Sequence, residues 1–287
     1  MRRVDARLGV AEEVEFLGPA APLFGCRHLP ATRERSRLGV VICSPILTDF
    51  GANYRREVEL ARRLAAAGLC VQRFHPRGVG HSSGGRLDLT VATMIADTVR
   101  AVERLVETTD VDAVALVATR FSAMPAAAAA RRLGPVPLVL WEPVTQARRY
   151  FREALRAHSV HQLKLGRTGI DDPAAELDRH GFLDVLGIQV GRELFETGPE
   201  HGLVEALGDE PRPVLLIQFE PREGLRPEYE QVVERWTGAG FEVTTALSPN
   251  DESWWFIPDR LAPADEVVAT TATWLLTQSE TTPMWGG

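Results

Sequence analysis

A chain of 287 residues, 45% hydrophobic and 25% charged, is too apolar for a disordered segment and has the size of one large α/β domain or two small ones. Its net charge of -7 excludes the basic footprint of a nucleic-acid binder, and three scattered cysteines, Cys26, Cys43 and Cys70, exclude a disulfide scaffold. A reducing cytoplasm fits that cysteine usage, and neither a signal-peptide core nor an apolar run of membrane-span length is evident.

The expected elements follow one another in a regular order. Residues 13–29 read as an antiparallel hairpin with a Pro-rich turn. Residues 38–43 (LGVVIC) form a buried strand that ends at Ser44-Pro45, and 54–67 carry the apolar period of a helix closed by Gly68. A second strand covers 69–74 and runs into the Gly-rich turn His75-Pro76-Arg77-Gly78-Val79-Gly80-His81-Ser82-Ser83-Gly84. A helix over 90–106, a strand over 113–118, an alanine-rich helix over 121–133 and a strand over 136–141 complete this half. Strand and helix alternating in this way imply parallel strands with right-handed crossovers, and non-alternating runs such as VVIC and VALVA imply strands covered on both faces.

The alternation stops at about Gln146. Residues 146–211 read as an inserted helical cap, polar, broken by glycines and without a convincing strand. The α/β pattern resumes with a strand over 214–219, a helix over 227–238, a strand over 241–247 and a closing helix over 264–276. The tail from 279 is expected to be loose. The expected organisation is a core of residues 1–145 and 212–287 interrupted by a cap of 146–211. Lys164 is the sole lysine, which points to a coding bias toward arginine.

Four landmarks in this order resemble the α/β-hydrolase superfamily, over nearly the whole chain. Ser44-Pro45-Ile46-Leu47 stands where that family places an oxyanion-hole amide. The turn from His75 to Gly84 looks like its D-x-R-G-x-G-x-S-x-G segment, with His75 in the Asp place. Leu116-Val117-Ala118-Thr119-Arg120-Phe121-Ser122-Ala123 lies where the nucleophile elbow G-x-S-x-G belongs. Trp141-Glu142-Pro143-Val144 followed by a cap resembles the serine-aminopeptidase-like branch, and within it a group of exosortase-associated or natural-product-cluster proteins with an arginine-type elbow. The resemblance implies an α/β-hydrolase fold, a mostly parallel doubly wound sheet with an N-terminal antiparallel hairpin and a helical cap.

The departures from that pattern set the functional expectation. Arg120 takes the place of the nucleophilic serine. Glu220 or Glu223 is the nearest stand-in for the acid, and no histidine follows His201, so the base is missing from its place. Arg120 at the start of a helix, with the backbone amides near Ile46 and Phe121, makes a candidate site for a carboxylate or similar anion. Its bland alternative is a pairing with a local carboxylate such as Glu142. Candidate catalytic residues are Arg120, Glu142 and His75. Glu142, flanked by Trp141 and Pro143, is a candidate proton carrier, or else an ion-pair partner of a cap arginine such as Arg148. Candidate substrate-binding residues are Ile46, Leu47, Phe121, Ser122, Trp254 and Trp255, the two tryptophans supplying an apolar wall.

His158 and His161 read as a solvated helix face, and no metal or other cofactor is expected. The partner expected is a small molecule or peptide bearing an anion, with no nucleic acid and no membrane, bound by a monomer or homodimer. Three activities remain open. One is non-hydrolytic proton transfer (epimerase, isomerase or cyclase type) in a biosynthetic pathway. The second is ligand or acyl binding without catalysis. The third is atypical ester, thioester or amide hydrolysis using Ser122 or Cys43 with His75.

Overall fold

The computed structural model describes residues 1–19, 21–31, 35–198, 202–219, 223–248 and 265–281. Eleven strands and nine α-helices are formed among them. The strands are β1 (Arg2–Asp5), β2 (Val10–Leu17), β3 (Leu23–Pro30), β4 (Leu38–Cys43), β5 (Cys70–Phe74), β6 (Ala113–Thr119), β7 (Leu138–Trp141), β8 (Phe182–Val185), β9 (Ile188–Gly191), β10 (Pro213–Gln218) and β11 (Glu242–Leu247). The helices are α1 (Thr48–Ala66), α2 (Val91–Thr108), α3 (Ala123–Leu133), α4 (Ala147–Lys164), α5 (Pro173–His180), α6 (Arg192–Thr197), α7 (Leu203–Leu207), α8 (Pro227–Gly238) and α9 (Asp265–Thr281).

Nine strands form one sheet in the order β1-β2-β3-β5-β4-β6-β7-β10-β11. The pairs from β5 onward in that order are parallel, and β1, β2 and β3 add an antiparallel lip through β3–β5. Every residue of β4, β5, β6 and β7 is buried, as expected for strands covered on both faces. Side chains nonetheless sort by period two. Ala113, Ala115 and Val117 of β6 join α1 and α9 in one core, while Val114, Leu116 and Ala118 join α2, α3 and α8 in the other. Trp141 Nε1 donates to Thr271 Oγ1 at 2.9 Å and ties the closing helix to the centre of the sheet.

The structure corrects the expected elements in three places. The segment between β7 and β10 is not purely helical, because β8 and β9 pair as an antiparallel hairpin. Its strands are only four residues long and are joined by Leu186-Gly187, both at positive φ, as a two-residue hairpin turn requires. Leucine is a poor advertisement for such a turn. The N-terminal hairpin gains a third strand, β1, whose sequence RRVD reads as polar coil but suits an exposed sheet edge. The closing helix continues to Thr281, past the point expected for a loose tail.

Candidate functional site

The parallel strands end on one side of the sheet, and the turns leaving β4, β6 and β7 meet there. Each of these turns holds one non-glycine residue at positive φ: Leu47 (54°), Arg120 (54°) and Glu142 (45°). Left-handed backbone at such residues costs of order 1–3 kcal/mol each and clusters at functional sites. The turn after β6 therefore keeps the strained elbow geometry, with Arg120 at its apex. Its backbone is anchored by Val144, whose N–H donates to Arg120 O at 3.2 Å.

Arg120 is buried beneath a cavity of about 560 Å³. Its Nε lies 3.4 Å from Asp49 Oδ2, and its guanidinium carbon is 5.7 Å from the centre of the Tyr150 ring. Tyr150 Oη donates to the same Asp49 oxygen at 3.1 Å and to Ile46 O at 3.4 Å. Burial pushes Asp49 above the usual carboxylate range, although Arg120 and Tyr150 pull the other way. Burial likewise holds Tyr150 well above an ordinary phenol, with Asp49 adding to it. Burial opposes the charge of Arg120, but Asp49 and Glu142 outweigh it and keep the guanidinium protonated. A void of about 20 Å³, room for one water, adjoins the cavity and is lined by Leu47, Asp49, Arg120 and Tyr150 among others.

The sequence singled out neither Asp49 nor Tyr150. Asp49 stands in the first turn of α1, two residues past Leu47, and Tyr150 is in the first turn of α4. Among the described residues, the carboxylate that pairs with the arginine is therefore Asp49. Glu142 faces another partner: its Oε1 accepts from Arg226, rather than from Arg148, and its Oε2 accepts from the Phe219 N–H at 2.6 Å. Arg226 also donates to Tyr229 Oη, which itself donates to Pro143 O at 2.9 Å. Glu142 is fully buried in this knot and does not line the cavity, whereas Arg226 does.

The remaining candidates are placed as follows. Ile46, Leu47 and Phe121 are buried, and among the described residues the N–H groups of Ile46 and Leu47 make no hydrogen bond. Phe121 packs on Tyr150 and Phe151 with ring centres 5.3 Å from each. Ser122 donates its hydroxyl to Ser44 O at 2.7 Å. Cys43 has its thiol 3.8 Å from Thr98 Oγ1, and burial pushes it up to about 12, out of thiolate range.

His75 sits among the rings of Phe24, Phe50, Tyr54 and His81, away from the cavity wall. Its Nδ1 accepts from the His81 N–H at 3.2 Å, and burial, then Arg73, hold it down to about 4, so it is neutral at pH 7. The rest of its turn is a structural knot, in which Arg77 pairs with Asp97 at 3.0 Å and Ser82 donates to His75 O at 2.6 Å. His158 is buried and accepts from the Leu186 N–H at 3.0 Å, while His161 lines the cavity. Glu223 is exposed. Glu220, His201, Trp254 and Trp255 lie outside the described residues. Among the described residues no cluster of His, Cys, Asp and Glu has the makings of a metal site, and no helix is long and apolar enough to cross a membrane.

No protein-family model matches the sequence, and no curated protein matches it either. Solved structures do. Est1E from Butyrivibrio proteoclasticus is 14% identical with a TM-score of 0.64, covering 93% of this chain and 99% of that one. An α/β serine hydrolase without lid from Xanthomonas campestris is 22% identical with a TM-score of 0.55, covering 95% and 97%. The thioesterase domain from the curacin biosynthetic pathway is 17% identical with a TM-score of 0.53, covering 92% and 99%. The sheet order, the strained turn after β6 and these neighbours together establish that this chain has the α/β-hydrolase fold.

Proposed function

We propose that this protein binds an organic acid in the cavity above Arg120 and acts on it by proton transfer rather than through an acyl-enzyme. One observation carries the reading: the strained apex of the elbow is an arginine, oriented by a buried carboxylate and placed at the floor of a cavity. Strained backbone at Leu47, Arg120 and Glu142 supports a working site, since glycine would adopt each of these conformations without the strain. The proton-handling groups next to the arginine are Asp49, made more basic by burial, and Tyr150, held protonated as a donor. That pair suits an epimerase, isomerase or cyclase type of reaction. Without it the cavity is a ligand- or acyl-binding site in a biosynthetic pathway. The cap, as the segment 146–211, supplies the outer wall.

A second reading, hydrolysis of an ester, thioester or amide, draws on the neighbours described as a thioesterase domain and a serine hydrolase. It needs a nucleophile and base in contact. Ser122 and Cys43 are engaged elsewhere, and His75 does not line the cavity.

Ferulate, bound by Est1E in one solved structure, is an apolar acid suited as a probe. Calorimetry with ferulate and with aliphatic carboxylates is expected to show binding that weakens tenfold or more in Arg120→Met. Equal affinity in the variant would sink the reading. Covalent labelling of the wild type by a fluorophosphonate, lost in Ser122→Ala, would establish the hydrolase instead. Uptake of solvent deuterium at the carbon beside the bound carboxylate would separate catalysis from binding.

A further inference from the structure

The wall of the cavity is largely one face of α4, and that helix is out of balance with the rest of the molecule. It carries Arg148, Arg149, Arg152, Arg156 and Lys164 against the single carboxylate of Glu153, on a chain of net charge -7. Arg149, Glu153, Arg156, Ala157, Val160, His161 and Lys164 line the cavity at helical spacing.

The cations in and around this cavity divide into two groups. The inner ones are matched by carboxylates: Arg120 by Asp49, Arg226 by Glu142, and Arg149 by Glu153 and Glu228, both at 2.7 Å. The outer ones, Arg156 and Lys164, have no carboxylate within ion-pair distance among the described residues. Pro143, Val144, Ala157, Val160 and Leu186 supply an apolar stretch in the same cavity.

Helix geometry sets the scale. At 1.5 Å per residue, Arg156 lies ~9 Å and Lys164 ~21 Å along α4 from Tyr150, which touches the Arg120 site. The two outer cations leave the helix ~12 Å apart along its axis, a spacing that two anionic groups fill better than one carboxylate. They suit a handle with several phosphates spread along it.

Resting on the reading that Arg120 receives an organic acid, we propose that the ligand is two-ended: a carboxylate over Arg120, an apolar acyl body, and a phosphorylated handle received by Arg156 and Lys164. A coenzyme A monothioester of a dicarboxylic acid has this chemistry.

The test compares three probes by calorimetry on the full-length protein: glutaryl-coenzyme A, coenzyme A and glutarate. The thioester is expected to bind at least tenfold tighter than either fragment. In Arg156→Gln/Lys164→Gln, the thioester and coenzyme A are expected to weaken tenfold or more, with glutarate unchanged. Both side chains are exposed, so the fold is not at risk. In Arg120→Met, the thioester and glutarate are expected to weaken, with coenzyme A unchanged. Wild-type affinity of the double variant for the thioester would overturn the proposal while leaving the Arg120 reading to its own variant. Lys164 is the sole lysine, so reductive methylation reports on one side chain besides the N-terminus. Glutaryl-coenzyme A is expected to protect it. Equal protection by inorganic pyrophosphate would refute a two-ended ligand.

Discussion

Replacing Arg120 by methionine keeps much of the side chain's length and deletes its charge. The guanidinium stands 3.4 Å from Asp49 Oδ2, and both groups are buried. At an effective dielectric constant near 20, a pair at that distance attracts by ~5 kcal/mol, and desolvation of the two charges offsets much of this. The substitution removes the attraction and leaves the desolvation of Asp49 in place. Breaking a buried pair in this way costs about 3–5 kcal/mol, so a loss of that size is expected at pH 8.

The loss should depend on pH. Asp49 is already raised by burial, and without Arg120 it rises further. A carboxyl raised in the folded state contributes stability that is full below its unfolded pKa and lost as pH climbs through the folded one. The deficit of the variant relative to wild type is therefore smaller at pH 5 than at pH 8. Urea unfolding followed by circular dichroism, with Asp49→Asn and the double variant completing a cycle, measures both effects. Asp49→Asn should rescue Arg120→Met, with a coupling of roughly 1.5–3 kcal/mol in the cycle. A deficit equal at the two pH values, with the cycle additive to about 0.5 kcal/mol, would refute the reasoning.

Three further outcomes are expected. Burial pushes Glu57 up to about 7 from 4.5, so its contribution to stability is full below 4.5 and lost as pH rises through 7. Glu57→Gln should gain on wild type by about 3 kcal/mol between pH 4 and pH 8, and parallel stability profiles would count against it. Ser122→Ala removes the hydrogen bond to Ser44 O and should cost about 1–2 kcal/mol in urea unfolding, with no change in ligand affinity. A Cβ on Gly80 would lie 2.3 Å from His75 Nδ1 at a φ of +58°. Gly80→Ala should therefore lower stability by about 2 kcal/mol or more, and a thermal midpoint within a degree of wild type would contradict it.

The parallel sheet is legible in the sequence because burial on both faces writes itself as runs such as Val40-Val41-Ile42 and Val114-Ala115-Leu116-Val117. The elbow is legible because a strand ends abruptly before an alanine-rich helix. Short hairpins and edge strands leave a weaker trace. β8 and β9 are four residues each, and their turn begins with leucine; β1 is polar because it faces solvent. The composition of the site was harder to read for a different reason. Asp49 meets Arg120 across 71 positions, Tyr150 meets Asp49 across 101, and Arg226 meets Glu142 across 84. Local spacing holds no record of such contacts. Arg120 and Glu142 could be singled out from their own turns, but their partners are chosen by how the helices settle on the sheet. His161 shows the same limit: the sequence placed it with His158 on one solvated face, while packing buries one ring and leaves the other on the cavity wall.

The three left-handed turns divide according to what their side chains hold in place. Glycine at position 47, 120 or 142 would relax the backbone by about 1–3 kcal/mol. At 120 and 142 the same change would erase the guanidinium and the carboxylate on which the inner cavity is organised. A purely thermal screen should therefore recover glycine at 47, where no charge pair is lost, and not at 120 or 142, where breaking a buried pair outweighs the relief of strain. Variants recovered by binding should keep bulky side chains there and gain their stability from the helices on the outer faces of the sheet.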